Sequence, residues 1–263
     1  MRRLIIIEGL PCAGKSTVGW FIADLLGWRY VDEGSGKHPA DYEFHAWLAP
    51  DELDGFPEAA RQAILAAAAP ACGGWVVPLA RFEGVLFDRL LAHKIYDFLP
   101  WEAEKPVMLD RWRTFAAGVG PDEGWVFNCV LLQNPMCETM MRFGFDVDAS
   151  AAYIGEICRI IRPLEPLVVY LRRDDIRAAI EAALPERGQD WLDGVVAYHC
   201  EGAYGRARGL SGFDGYIAAL EERQRRELEI LRGLPLESLV LDNPGRDWAA
   251  ARRTLAARLQ KEA

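Results

Sequence analysis

The sequence predicts an α/β fold of three layers, a mainly parallel central sheet between helices with a helical insertion, and three observations carry that prediction. Apolar runs of strand length alternate with stretches of helical period along the 263 residues, the pattern of parallel strands joined by crossover helices. The first run, Leu4–Glu8, is too apolar to keep a wet face and suits the centre of a sheet covered on both sides. Directly after it a glycine-bearing turn opens into an amphipathic helix.

That helix carries Val18, Phe21, Ile22 and Leu25 at i, i+3, i+4 and i+7 and stops at Gly27, a glycine placed to close the last turn. Trp28–Asp32 is the second strand. Residues 33–105 mix a loop with Gly, His and Pro (Gly34–Tyr42), an Ala-rich helix near Pro57–Ala69 and an amphipathic helix near Phe82–Phe98. No repeat or low-complexity linker interrupts the chain, so 1–263 reads as a single domain with an enlarged, mostly helical insertion at about 33–105 over the substrate side of the sheet. Pro106–Asp110 and Trp125–Leu132 both read as strands, and either can adjoin the first. Asp148 caps a helix ending at Arg162, Leu167–Leu171 is another buried strand, and a helix over Asp174–Leu184 runs into the loop Pro185–Asp190, within a lid at about 172–190. A long helix over Phe213–Arg232, a last strand Leu236–Leu241 and a terminal helix capped by Asp247 complete the series.

A net charge of −9 argues against nucleic acid or an anionic membrane surface as partner, since both need clustered Lys and Arg. The six cysteines lack CxxC or zinc spacing and sit mostly in apolar runs, which suits a reducing cytoplasm. No stretch approaches the roughly 18–20 apolar residues of a membrane span. A homodimer is left open.

Gly9-Leu10-Pro11-Cys12-Ala13-Gly14-Lys15-Ser16, followed by Thr17, matches GxxxxGK[ST] between a strand and a helix. Gly9 and Gly14 permit backbone geometry that turns the intervening N–H groups inward around phosphates. Lys15 brings a cation to the β- and γ-phosphates, Ser16 offers a hydroxyl to Mg²⁺, and the helix points its positive end at the anion. The motif places ATP and Mg²⁺ here and makes the fold that of a P-loop NTPase. No Asn-Lys-x-Asp string selects guanine. The best Walker-B-like segment is Val107-Met108-Leu109-Asp110, with Asp110 placed toward Mg²⁺ and followed by Arg111, not by the glutamate that hydrolytic ATPases use on water. Phosphoryl transfer to a bound acceptor is therefore favoured.

Ile7-Glu8-Gly9-Leu10, Gly14-Lys15-Ser16-Thr17, the loop Asp32-Glu33-Gly34-Ser35-Gly36 and Asp110-Arg111 together resemble the thymidylate-kinase and deoxynucleoside-kinase group of small P-loop kinases. The opening also resembles uncharacterised bacterial ATP-binding P-loop proteins. The resemblance implies that Asp110 acts as base or Mg²⁺ partner and that Arg111 holds phosphate. The acceptor motif of thymidylate kinases is not legible, so the acceptor stays open among nucleoside-like, nucleotide-like and other hydroxyl compounds.

Arginines after the strand Leu167–Leu171, Arg187 foremost and Arg173 next, are candidates to neutralise the migrating phosphoryl group. Glu33, His38 and Asp41 lie beyond the second strand, at the edge where such sheets place ligands, and are candidate acceptor contacts. If Trp125–Leu132 adjoins the first strand, Gln133 faces the pocket in place of Asp110. The alternative function is a nucleotide-dependent regulatory or partner-binding ATPase module with slow hydrolysis.

Overall fold

The computed structural model describes residues 1–34 and 36–259; Ser35 of the glycine-bearing loop lies outside them. The chain divides into two compact units, one of Met1–Asp32 with Val119–Ala263 and one of Glu33–Gly118.

In chain order the first unit begins with β1 (Leu4–Gly9), α1 (Lys15–Leu26) and β2 (Arg29–Val31). The second holds β3 (His45–Leu48), α2 (Pro50–Asp54), α3 (Glu58–Ala67), β4 (Ala69–Ala71), β5 (Gly74–Pro78), α4 (Gly84–Leu91), the turn α5 (Ile95–Phe98) and α6 (Trp101–Gly118). The first unit resumes with β6 (Trp125–Asn128), α7 (Gln133–Met136), a π-helical stretch Cys137–Arg142, α8 (Val147–Ile161) and β7 (Leu167–Arg172). It ends with α9 (Ile176–Arg187), α10 (Gln189–Glu201), α11 (Ala203–Arg208), α12 (Gly212–Gly233), β8 (Glu237–Asp242) and α13 (Trp248–Leu259).

The first unit's sheet has the order β2-β6-β1-β7-β8, and every pairing is parallel. The fold is the α/β class with a parallel central sheet that the alternation of patterns predicts. β1 is central, and all six of its residues are buried. Ile5 and Ile7 share one core with Val18 and Ile22 of α1 and Ala251 and Leu255 of α13. Successive strand residues point to opposite faces, so Tyr170 of β7 faces the other layer, where its hydroxyl donates to Glu227 of α12 at 2.6 Å.

Residues 33–118 hold α2–α6, with more residues in helices than in strands, but they are not helical throughout. They carry a three-stranded antiparallel sheet in the order β3-β5-β4, backed by a core that includes Leu48, Phe56, Ile64 and Val77.

Several expected elements change identity. Pro106–Asp110 is not a strand: it lies inside α6, with Pro106 within the helix. The buried residues Glu104, Val107, Met108, Trp112 and Phe115 recur at three- and four-residue spacing, a helical stripe that a four-residue apolar run is too short to reveal. Of the two segments expected to compete for a place beside β1, the strand that takes it is β6, which stops at Asn128, short of Leu132. α8 is capped by Asp146, whose carboxylate accepts the Ala149 N–H at 2.8 Å, in place of Asp148. The loop expected over Pro185–Asp190 is helical on both sides of Gly188.

Candidate active site

The turn between β1 and α1 is built from backbone constraints. Gly9 has φ +138°, and a Cβ there would stand 2.7 Å from the carbonyl oxygen of Leu171. Gly14 has φ +91°, and its Cβ would enter the Trp248 ring at 2.4 Å. Cys12 holds φ 61°, a left-handed conformation costly for a side-chain-bearing residue. With Gly14 as N-cap, no side chain caps α1 and no acidic residue stands in its first turn. The first-turn N–H groups thus face the loop as an anion site with the helix dipole behind them.

Lys15 is 7% exposed. Its ammonium donates to the Leu10 carbonyl at 3.0 Å and to Gln133 Oε1 at 3.0 Å. Gln133, expected as a substrate contact, holds the loop lysine here. Its own place is fixed by Glu8: one carboxylate oxygen accepts the N–H groups of Leu131 and Leu132 at 2.7 and 2.9 Å, and the other accepts that of Gln133 at 3.0 Å. Burial pushes the Glu8 carboxyl up to about 7, against those three hydrogen bonds, and the charge of Glu227 pushes the same way.

Ser16 is exposed and meets the end of the second strand. Its hydroxyl lies 3.3 Å from Asp32 Oδ1, and Asn128 Nδ2 donates to Ser16 Oγ at 3.3 Å and to Asp32 Oδ1 at 2.5 Å. Asn128 ends β6 and Asp32 directly follows the adjacent parallel strand β2, so both arrive at the carboxyl edge of the sheet, where doubly wound folds bind ligands. The residue pattern alone passed over Asp32 as a strand end; the signal available was its position at that edge. A hydroxyl and a carboxylate form a hard-oxygen donor set, and Mg²⁺ takes one or two such groups together with phosphate oxygens and water. The residues present fit that ion.

Cations gather around the loop. Arg173 Nη2 donates to the Cys12 carbonyl at 3.3 Å. Burial raises the Cys12 thiol pKa, opposed by the positive charges of Arg187, Lys15 and Arg173 in that order. Both arginines expected from the sequence thus lie near enough to Cys12 for their charge to bear on its thiol. Arg187, at the end of α9, also lies over Trp191 with 5.7 Å to the ring centroid.

The remaining expected residues fall in the second unit. Glu33 is exposed. His38 Nδ1 accepts the Ala40 N–H at 3.2 Å, and burial pushes that imidazole down to about 3. Asp41 accepts the Tyr42 N–H at 2.7 Å and the Tyr96 hydroxyl at 2.6 Å. Arg111 donates to the His38 carbonyl at 2.8 Å and stacks over Tyr42, with Asp110 preceding it on α6. Among the described residues there is no group of three or more His, Cys, Asp or Glu that could hold a metal, and no helix is long and apolar enough to cross a membrane.

No family model matches the chain, and no curated protein matches it. Solved structures do. Deoxyadenosine kinase from M. mycoides with bound dATP is 15% identical, with 98% of this chain and 100% of that chain covered, at a TM-score of 0.45. The YorR protein from Bacillus subtilis is 12% identical, with 98% and 95% covered, at a TM-score of 0.44.

Proposed function

We propose that this chain is an ATP-dependent phosphotransferase that moves the γ-phosphoryl group to a small-molecule acceptor. The observation that carries the proposal is the convergence of Lys15, Ser16 and Asp32 on one uncapped helix N-terminus at the carboxyl edge of the parallel sheet. A glycine-bearing turn alone would not need a buried lysine held by Gln133 or a carboxylate facing Ser16.

The acceptor oxygen forms a bond to the γ-phosphorus as the bond to the β–γ bridging oxygen breaks, ADP leaves, and the hydroxyl proton passes to a carboxylate or to water. In such transfers the protein contributes positioning and charge stabilisation. Backbone N–H groups of Gly9–Ser16 cradle the phosphates, Lys15 balances charge on the β- and γ-phosphates, and Arg173 and Arg187 stabilise the charge that spreads over the migrating group. Ser16 and Asp32 would hold Mg²⁺, which supplies neutralisation of phosphate charge; Asp32 takes the part first expected of Asp110. Glu33, Asp110 and Arg111 remain proposed acceptor-side groups, supported by residue pattern alone. The hydrogen bonds of His38 to Ala40 and of Asp41 to Tyr42 and Tyr96 support a structural part for both.

Lys15→Ala tests the reading. A folded variant is expected to lose transfer of label from γ-labelled ATP by at least a hundredfold, a loss typical of removing one stabiliser of transition-state charge. Undiminished transfer would sink the proposal.

A further inference from the structure

The cluster of Ser16, Asp32 and Asn128 has a further neighbour, Tyr30, that no motif marks. β2 pairs with β6 in the register Tyr30 to Val126, and Val126 belongs to the core shared with Val18 and Ile22 of α1. Side chains two positions apart on a strand share a face. Tyr30 and Asp32 therefore both project toward α1, as Val126 and Asn128 do. On α1 itself Ser16, Gly19 and Trp20 stand three and four residues apart and form one strip. The Tyr30 ring lies along that strip. A Cβ at Gly19 would stand 2.3 Å from Tyr30 Cε2 and 3.1 Å from Cζ, the carbon that bears the hydroxyl. Trp20 meets the same ring with 4.5 Å between centroids.

Packing does not account for the hydroxyl. Phenylalanine would fill the same space against Gly19 and Trp20. The Tyr30 hydroxyl oxygen is buried and meets no hydrogen-bond partner in bonding geometry among the described residues, an arrangement that native interiors seldom keep without a reason. The groups that bear on it belong to the cluster. Burial raises the phenol's pKa most; Ser16 draws it down, and the Asp32 carboxylate pushes it back up. A phenol kept protonated donates, and a carboxylate only accepts. Asn128 Nδ2 meanwhile is divided between Ser16 Oγ at 3.3 Å and Asp32 Oδ1 at 2.5 Å. A carboxylate that ligates a metal is aimed by the hydrogen bonds it accepts from the groups behind it. The cluster opens to solvent at Ser16, which is exposed, so an ion has access to it while Tyr30 stays behind.

We propose that Tyr30 is a positioning residue for the divalent-ion site: its hydroxyl donates to the Asp32 carboxylate and, with Asn128, keeps it aimed beside Ser16. The inference rests on the assignment of Ser16 and Asp32 to Mg²⁺ and adds the residue that tunes that pair.

The test reads nucleotide affinity and needs no acceptor. ATP binding is titrated in Mg²⁺ and in EDTA for wild type, Tyr30→Phe, Asp32→Asn and the double variant. Tyr30→Phe keeps the ring against Gly19, so its ligand-free melting temperature is expected to persist. Mg²⁺ is expected to tighten ATP binding to wild type. Tyr30→Phe should lose about tenfold of that gain, a usual cost of removing a hydrogen bond to a metal-ligating group, with its affinity in EDTA unchanged. In the Asp32→Asn background the same substitution should change nothing further, because its route to the ion is gone. An equal Mg²⁺-dependent gain in wild type and Tyr30→Phe overturns the inference and leaves the ion assigned to Ser16 and Asp32. A loss that is the same in Mg²⁺ and EDTA, or that persists in the Asp32→Asn background, also overturns it, since Tyr30 then shapes the loop and not the ion site. If Mg²⁺ tightens binding to none of the proteins, or tightens it as much in Asp32→Asn as in wild type, the assignment of Asp32 to the ion falls and the inference with it. Transfer of label is scored separately, so failure of the phosphotransferase reading is seen apart from these outcomes.

Discussion

Glu8 places a carboxylate with no solvent contact beneath the turn that presents Gln133 to Lys15. Three backbone N–H groups need both of its oxygens, so the position calls for a carboxylate in geometry while burial resists its charge. A carboxyl whose folded pKa is raised binds its proton more tightly in the native state. Its contribution to stability is therefore fully present below the unfolded value and is lost as pH rises from about 4.5 to about 7. The span corresponds to a loss on the order of 3 kcal/mol. Urea unfolding of wild-type protein is expected to show stability falling through that window more steeply than in Glu8→Gln, which has no charge to acquire. Equal slopes would remove Glu8 as the titrating group. Glu227 is shifted in the same direction, which is why the comparison is read as a difference between the two proteins. Neither role was legible in the sequence. The turn between β1 and α1 was, because each of its fixed positions answers a local backbone demand, whereas Glu8, Asp32, Asn128 and Gln133 acquire their partners only when the sheet brings separate strand ends together.

Elements were legible in proportion to their length and to how far one period excluded the other. β1 and α1 sit in long unambiguous patterns. Val107-Met108-Leu109 fits a strand and a helix equally, and only the flanking Glu104, Trp112 and Phe115 decide for α6. The short strands β4 and β5 hide behind Pro70 and Pro78, residues that ordinarily argue against a strand and are tolerated at edges and strand ends. The junction of α9 and α10 was missed for a related reason: Pro185 and Gly188 read as a loop, yet Pro185 lies within α9 and the break is confined to Gly188 at φ 82°, ψ 170°. That conformation is essentially open to glycine alone. Gly188→Ala is expected to cost about 1–3 kcal/mol locally, to speed amide exchange over residues 184–192, and to lower kcat more than ATP affinity because Arg187 sits at the junction. Unaltered exchange and kcat would show that the junction neither stores strain nor positions Arg187.

For the molecule as a whole, a net charge of −9 sets the problem of binding a polyanion. Long-range attraction is unavailable, so affinity has to come from buried or converging groups: the α1 N-terminus, Lys15 at 7% exposure, and Arg173 held against the Cys12 carbonyl. These groups are ordered only in the folded state, and binding to that state alone is expressed as stability. At a Mg·ATP concentration 100 times Kd the gain is about 2.7 kcal/mol, which for a chain of this size corresponds to a rise of about 5–10 °C in Tm. The two compact units each have a hydrophobic core, so one transition cannot be assumed. The rise is best followed through hydrogen exchange of β1, β6 and β7, which adjoin the loop. Lys15→Ala is expected to keep the ligand-free Tm to within a few degrees and to lose most of the rise, since it removes an ammonium that binds phosphate and leaves the sheet intact. A full rise in that variant would place the nucleotide elsewhere on the protein.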